Sequence, residues 1–289
     1  MSAPRYIFAG ALFVSAWGPC AALALTQQEI DWCAGKDATP ELQINGCTAV
    51  IQSENIPAND LGSAYKTRGL VYARRGDYDK AIADFDAAIR VNPQFAIAYN
   101  DRGASYGRKG DFDRAIADYN EAIRLDPGNS VTFRNRGFAF FSKHEFDRAI
   151  ADFTTAIQLD PKDFTAYTDR GNVYRAKRDL DHAFPDFDEA IRLNPSFVPA
   201  YGNRCFAYND KGDNDRAIVD CDEAIRLSPN DAAAFVNRGV AYRDKGDDQH
   251  AKADFDEAIR LDPTLTGTVQ RLRSRPWQRT LRCYLLALC

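Results

Sequence analysis

The strongest constraint on this chain is that its landmarks return every 34 residues. Glycine falls at Gly69, Gly103, Gly137, Gly171 and Gly239, with Cys205 in the remaining slot, and proline falls at Pro93, Pro127, Pro161, Pro195, Pro229 and Pro263. A fixed period of this size marks one supersecondary unit written repeatedly, and such units stack because none buries its apolar face alone. A length of 289 residues would otherwise suggest about two domains, but internal repetition overrides that prior. The six units run without insertion as 62–95, 96–129, 130–163, 164–197, 198–231 and 232–265.

Within a unit, apolar and small residues sit at helical spacing in two runs. Counting Gly62 as position 1, position 4 is aromatic throughout (Tyr65, Tyr99, Phe133, Tyr167, Tyr201, Phe235), and so is position 11 (Tyr72, Tyr106, Phe140, Tyr174, Tyr208, Tyr242). The second run carries alanine at positions 20 and 27 and an aromatic at 24, except for Cys221. Between the runs lies Lys109-Gly110-Asp111 or its equivalent, where glycine suits a left-handed helix end and aspartate can cap the next helix. In the second unit the landmarks are Tyr99, Gly103, Tyr106, Ala115, Tyr119, Ala122 and Pro127. Their order resembles the tetratricopeptide repeat, and six such units stand in register. The resemblance implies an all-α fold, a right-handed superhelical solenoid of antiparallel helix pairs whose first helices line a concave groove. It also exposes a departure. Position 7 is arginine in every unit (Arg68, Arg102, Arg136, Arg170, Arg204, Arg238), and aspartate recurs at position 23 (Asp84, Asp118, Asp152, Asp186, Asp220, Asp254). A residue repeated in every unit is expected to serve a contact that every unit makes with its neighbour.

The ends differ from the array. Residues 1–24 run from Arg5 through an apolar stretch to Ala22-Leu23-Ala24, which reads as a secretory signal peptide cleaved after Ala24. An uncleaved membrane anchor is the alternative; lipidation at Cys20 is disfavoured by the residues before it. Thr26 to Glu29 forms a capping box. Residues 44–52 align with 150–158 of a full unit, so 25–61 is expected to hold a degenerate capping hairpin followed by a linker at 53–61. Export permits disulfides. Cys33 with Cys47 would staple the capping hairpin, contributing about 3 kcal/mol. Cys205 with Cys221, at positions 8 and 24 of the fifth unit, forms a pair only if the two helices are suitably offset, since position 8 is expected to face position 20. Pro185, inside a second helix, is expected to kink or tighten it. The basic tail 266–289 either caps the solenoid, using Val269 and Leu272, or touches anionic lipid.

No pattern for a nucleophile, metal or phosphate-cradling loop is present, so no enzyme activity, cofactor or small-molecule substrate is expected. Setting aside the signal and the tail leaves the body at −10, which disfavours nucleic acid. Surface recognition remains. Positions 5, 9 and 12 of the first helices vary from unit to unit while the packing positions do not. The richest stretch holds Arg134, Phe138, Phe141, Asn172, Arg175 and Phe206, residue types favoured at interface hot spots. These are the expected groove residues for a protein or peptide partner with apolar and acidic side chains, in a scaffold exported across the inner membrane, with an envelope structural protein held at a membrane surface as the alternative.

Overall fold

The computed structural model describes residues 25–274, which are helical throughout apart from turns. The signal segment and the tail beyond Ser274, with Cys283, Cys289 and the tail leucines, lie outside the described residues. A short hairpin, α1 (Gln27–Cys33) and α2 (Pro40–Gln52), precedes six pairs. These are α3 (Ala58–Arg74) with α4 (Tyr78–Val91), α5 (Ala96–Arg108) with α6 (Phe112–Leu125), and α7 (Ser130–Ser142) with α8 (Phe146–Leu159). They continue as α9 (Phe164–Ala176) with α10 (Leu180–Leu193), α11 (Val198–Lys211) with α12 (Asn214–Leu227), and α13 (Ala232–Asp244) with α14 (Asp248–Leu261). A 3-10 turn (Pro263–Leu265) leads into α15 (Thr266–Arg273). The fold is an all-α solenoid of antiparallel pairs.

Local chemistry sets the boundaries. Thr26 and Glu29 cap α1 reciprocally, at 3.2 and 2.8 Å. Asp111, Asp179, Asp213 and Asp247 each accept the backbone N–H that opens the following second helix. Gly76, Gly110, Gly212 and Gly246 take the left-handed conformation between helices; His144 and Arg178 do the same in the third and fourth units, where the glycine is missing. The first helix of the array starts at Ala58 rather than Gly62. Residues 58–61, which composition assigns to the linker, follow Pro57 into the helix, and Asp60 stands in the first turn, where the helix dipole favours an acid.

Five of the six repeat hairpins are closed by a glycine against a ring. A β-carbon at Gly171 would lie 2.7 Å from Phe187, and one at Gly69 2.8 Å from Phe85, so position 8 is small because position 24 fills its space. Position 8 therefore sits between 20 and 24, as Gly103 shows against Ala115 and Tyr119. That offset, closer to 24 than expected from sequence, brings Cys205 and Cys221 to a Cα separation of 5.6 Å with their sulfurs bonded. Cys33 and Cys47 are bonded likewise, 4.4 Å apart at Cα. Cys47 aligns with Phe153, so both cystines stand where a ring stands in the other hairpins.

The repeated arginines and aspartates form one ladder. Arg136 forks onto Asp152 through Nε and Nη2, at 2.8 and 2.7 Å, and the same pair recurs from Arg68 with Asp84 to Arg238 with Asp254. The aspartates are nearly covered, with side chains 6–8% exposed. Nη1 of each arginine then crosses to position 25 of the preceding unit: Asp86, Asn120, Thr154, Asp188 or Asp222. The ladder reaches both ends. Arg68 donates to Thr48 of α2, and Arg273 of α15 donates to Asp256 while Val269 and Leu272 are buried against the last pair.

Pro185 leaves α10 unbroken. Lys177 and Lys245 reach Asp147 and Asp215 of the unit before, each at 2.5 Å, whereas Lys211 lies over the Phe184 ring, 5.2 Å from its centroid.

Candidate functional site

Consecutive first helices touch one another: α3 with α5, α5 with α7, α7 with α9, α9 with α11 and α11 with α13. Second helices do not pair in this way, so the first helices crowd the inner side of the curve and their outward stripe lines a groove. Its register is fixed by side-chain contacts. Position 5 of one unit meets position 6 of the next, as where Asn135 Nδ2 donates to Asn100 Oδ1 at 3.1 Å. Position 12 meets positions 9 and 13 of the next, as where Arg175 lies 4.0 Å over the Phe206 ring and 3.4 Å from Asp210 Oδ2.

Of the six residues expected in the groove, which lie on α7, α9 and α11, the structure brings Arg175 and Phe206 into contact. Phe138 is 51% exposed, unlike the other aromatics of its helix. Arg134, one turn before it, has Nε 3.4 Å from Asp163 Oδ2, an ion pair without the alignment of a hydrogen bond. Asn172 has a buried Oδ1 that accepts no hydrogen bond. Arg175 is held between Phe206 and Asp210, with its side chain 11% exposed. Phe141 is placed differently: it packs on the core beneath, 5.9 Å from the Phe146 ring.

Sequence reasoning missed position 6. It holds Thr67, Asp101, Asn135, Asp169, Asn203 and Asn237, polar in every unit, and that uniform polarity on an otherwise mixed helix was the available signal. Burial pushes the Asp101 carboxyl up to about 6, against the hydrogen bond from Asn100 and the charge of Lys66. Burial pushes Asp169 further, to about 7; Arg134 opposes this and Asp163 adds to it. Asp163 accepts the N–H groups of Thr165 and Ala166 at the start of α9. The groove arginines are thus committed within the protein, and a half-buried acid, Asp169, lies within the influence of Arg134. Among the described residues no cluster of three or more His, Cys, Asp or Glu side chains could hold a metal ion.

Stacked helix pairs with a variable inner stripe define a helical-repeat binding scaffold. Models described as tetratricopeptide repeat match residues 66–130, 164–197 and 232–265, and one described as TPR repeat matches 137–177 and 206–246; the chain belongs to the tetratricopeptide repeat family. Several solved structures share the fold. A type IV pilus biogenesis factor, PilW, is 17% identical with a TM-score of 0.69 over 75% of this chain and 100% of its own. A tetratricopeptide repeat protein from Parabacteroides merdae is 19% identical with a TM-score of 0.68, over 86% and 95%. YrrB, described as a TPR protein with an unusual peptide-binding site, is 23% identical with a TM-score of 0.52, over 66% and 98%. No curated protein matches by sequence.

Proposed function

We propose that this protein is a non-catalytic scaffold of the cell envelope that holds a segment of a partner protein in the groove formed by α7, α9 and α11. The observation that carries the reading is a pair of features at the same repeat position of α7 and α9: Phe138, a large ring left half exposed, and Asn172, whose buried carbonyl oxygen has no hydrogen-bond partner. Buried polar groups are nearly always satisfied, so unsatisfied ones along one stripe mark where another molecule's donors and acceptors belong. An exposed aromatic beside them supplies the desolvated anchor typical of hot spots. A protein of similar fold, YrrB, is described as having a peptide-binding site. Envelope residence is supported by the signal-like N-terminus and by two buried cystines, which persist in oxidising compartments. Among the described residues no helix is long and apolar enough to cross a membrane.

The test is a pull-down from envelope extract with the purified protein and with the Phe138→Ala, Asn172→Ala double variant. Loss of the captured band with unchanged helicity and melting is expected. Retention of the band by the variant would remove the groove from the function.

A further inference from the structure

We infer that Asp169 is the subsite that receives a cationic side chain, lysine or arginine, from the segment bound in the groove; this rests on the groove reading above and gives the partner its chemistry. Aspartate is used in two ways in this molecule. The ladder aspartates at position 23 are covered, and each takes both arms of an arginine fork from its own hairpin. Asp169 is half-buried, and the fork of its neighbour Arg170 goes to Asp186 and not to it, so among the described residues no arginine fork holds it. The charged groups acting on it are Arg134 across the groove floor on α7 and Asp163 at the start of α9. Arg134 directs Nε toward Asp163, so one cation serves two carboxylates and the locus carries one unbalanced negative charge. Partial burial of this carboxylate beside a second acid disfavours its charge, which lifts it toward neutrality. A cation arriving with the partner relieves that cost.

The surroundings suit the whole of such a side chain. Phe138, one turn beyond Arg134 on α7, leaves half of its ring open to the groove, against which the aliphatic stem and the charged head of a lysine or arginine can lie. Asn172, three residues beyond Asp169 on the same face of α9, holds a buried carbonyl oxygen without a donor, a place for a guanidinium or main-chain N–H. Asp101, at the same position two units earlier, is not equivalent. It accepts from Asn100 at 3.2 Å and faces Lys66, so its charge is balanced where it stands. An acidic partner, which the count of groove arginines suggests, finds neither arginine free: Arg134 is engaged by Asp163, and Arg175 by Phe206 and Asp210.

The experiment pans a phage-displayed library of random dodecapeptides against the full protein and against Asp169→Asn at pH 8. Peptides binding the parent are expected to share lysine or arginine at one position, with that enrichment falling at least tenfold on Asp169→Asn. A synthetic peptide of the enriched sequence should bind the parent at least tenfold more weakly when that lysine becomes norleucine, and show under a twofold change on the variant. Asn is isosteric, and a variant that melts no lower than the parent shows that loss of folding is not the cause. Binders that need Phe138 but carry no fixed basic position, or an acidic one, overturn the Asp169 assignment alone. Binders indifferent to Phe138→Ala, or a library without enrichment, overturn it together with the groove reading.

Discussion

The two sides of the first helices follow opposite rules. On the side facing the second helix, each position-7 arginine spends its three terminal nitrogens on fixed partners, and each position-8 glycine is matched to a ring. On the groove side no arginine fork holds Asp169, Asn172 Oδ1 and Asn209 Oδ1 have no donor, and Phe138 stands half exposed. Stability and recognition are thereby separated onto two stripes of one helix, so changes on one should leave the other's property almost untouched.

The largest break in that comparison is expected from Arg136→Ala. It leaves Asp152 covered and unpaired, and should cost about 3–5 kcal/mol in chemical denaturation. The Cys205→Ala, Cys221→Ala pair removes a cystine with 16 residues of separation from a site with no exposure, and should cost about 3 kcal/mol by the same measurement. A smaller effect, of opposite sign, belongs to the groove. Asp169 holds its proton more tightly folded than unfolded, so its ionisation destabilises the fold. That penalty is in full force above pH 7, fades as pH falls through about 7 and is gone near the ordinary value of 3.8. Thermal melts should therefore find Asp169→Asn more stable than the parent at pH 8 by about 1–2 kcal/mol, allowing for water at the groove, with the difference vanishing by pH 4. Last comes Phe138→Ala, which should alter stability by no more than about 0.5 kcal/mol while abolishing peptide capture in the panning assay. A large loss of stability there would place Phe138 in the scaffold and erase the distinction.

The scaffold stripe was legible in the sequence because it is periodic. Tyr99, Gly103, Ala115 and Pro127 recur in fixed order, and hydrophobic spacing alone separates the two helices. Which acid each position-7 arginine meets was not legible, because that depends on the offset between the helices of a pair. Arg68 and Asp84 lie 16 residues apart, and only the packed hairpin brings them together. The same offset decided the Cys205 and Cys221 pair, for which a simple antiparallel count placed position 8 one turn away. The groove was legible in part. Variation at positions 5, 9 and 12 pointed to Phe138, Asn172 and Phe206, but residue type alone could not reveal that Arg134 and Arg175 are engaged by acids of the chain itself. Phe141 failed for a related reason: position 12 lies at the border of the stripe, and a ring there is drawn down onto Phe146.

The links between successive coils are not all of one kind, which bears on how the solenoid flexes. Arg102, Arg204 and Arg238 cross to aspartates, whereas Arg136 and Arg170 cross to the neutral Asn120 and Thr154. A hydrogen bond with one ionised partner is weaker than one with two, even after water discounts the difference. The arginine link is therefore of the weaker kind where the second and third and the third and fourth units meet, although the Lys143–Asp113 and Lys177–Asp147 ion pairs span those same joints. The ties that hold successive coils together are thus not uniform, and the neutral arginine links stand on either side of the unit that carries Phe138.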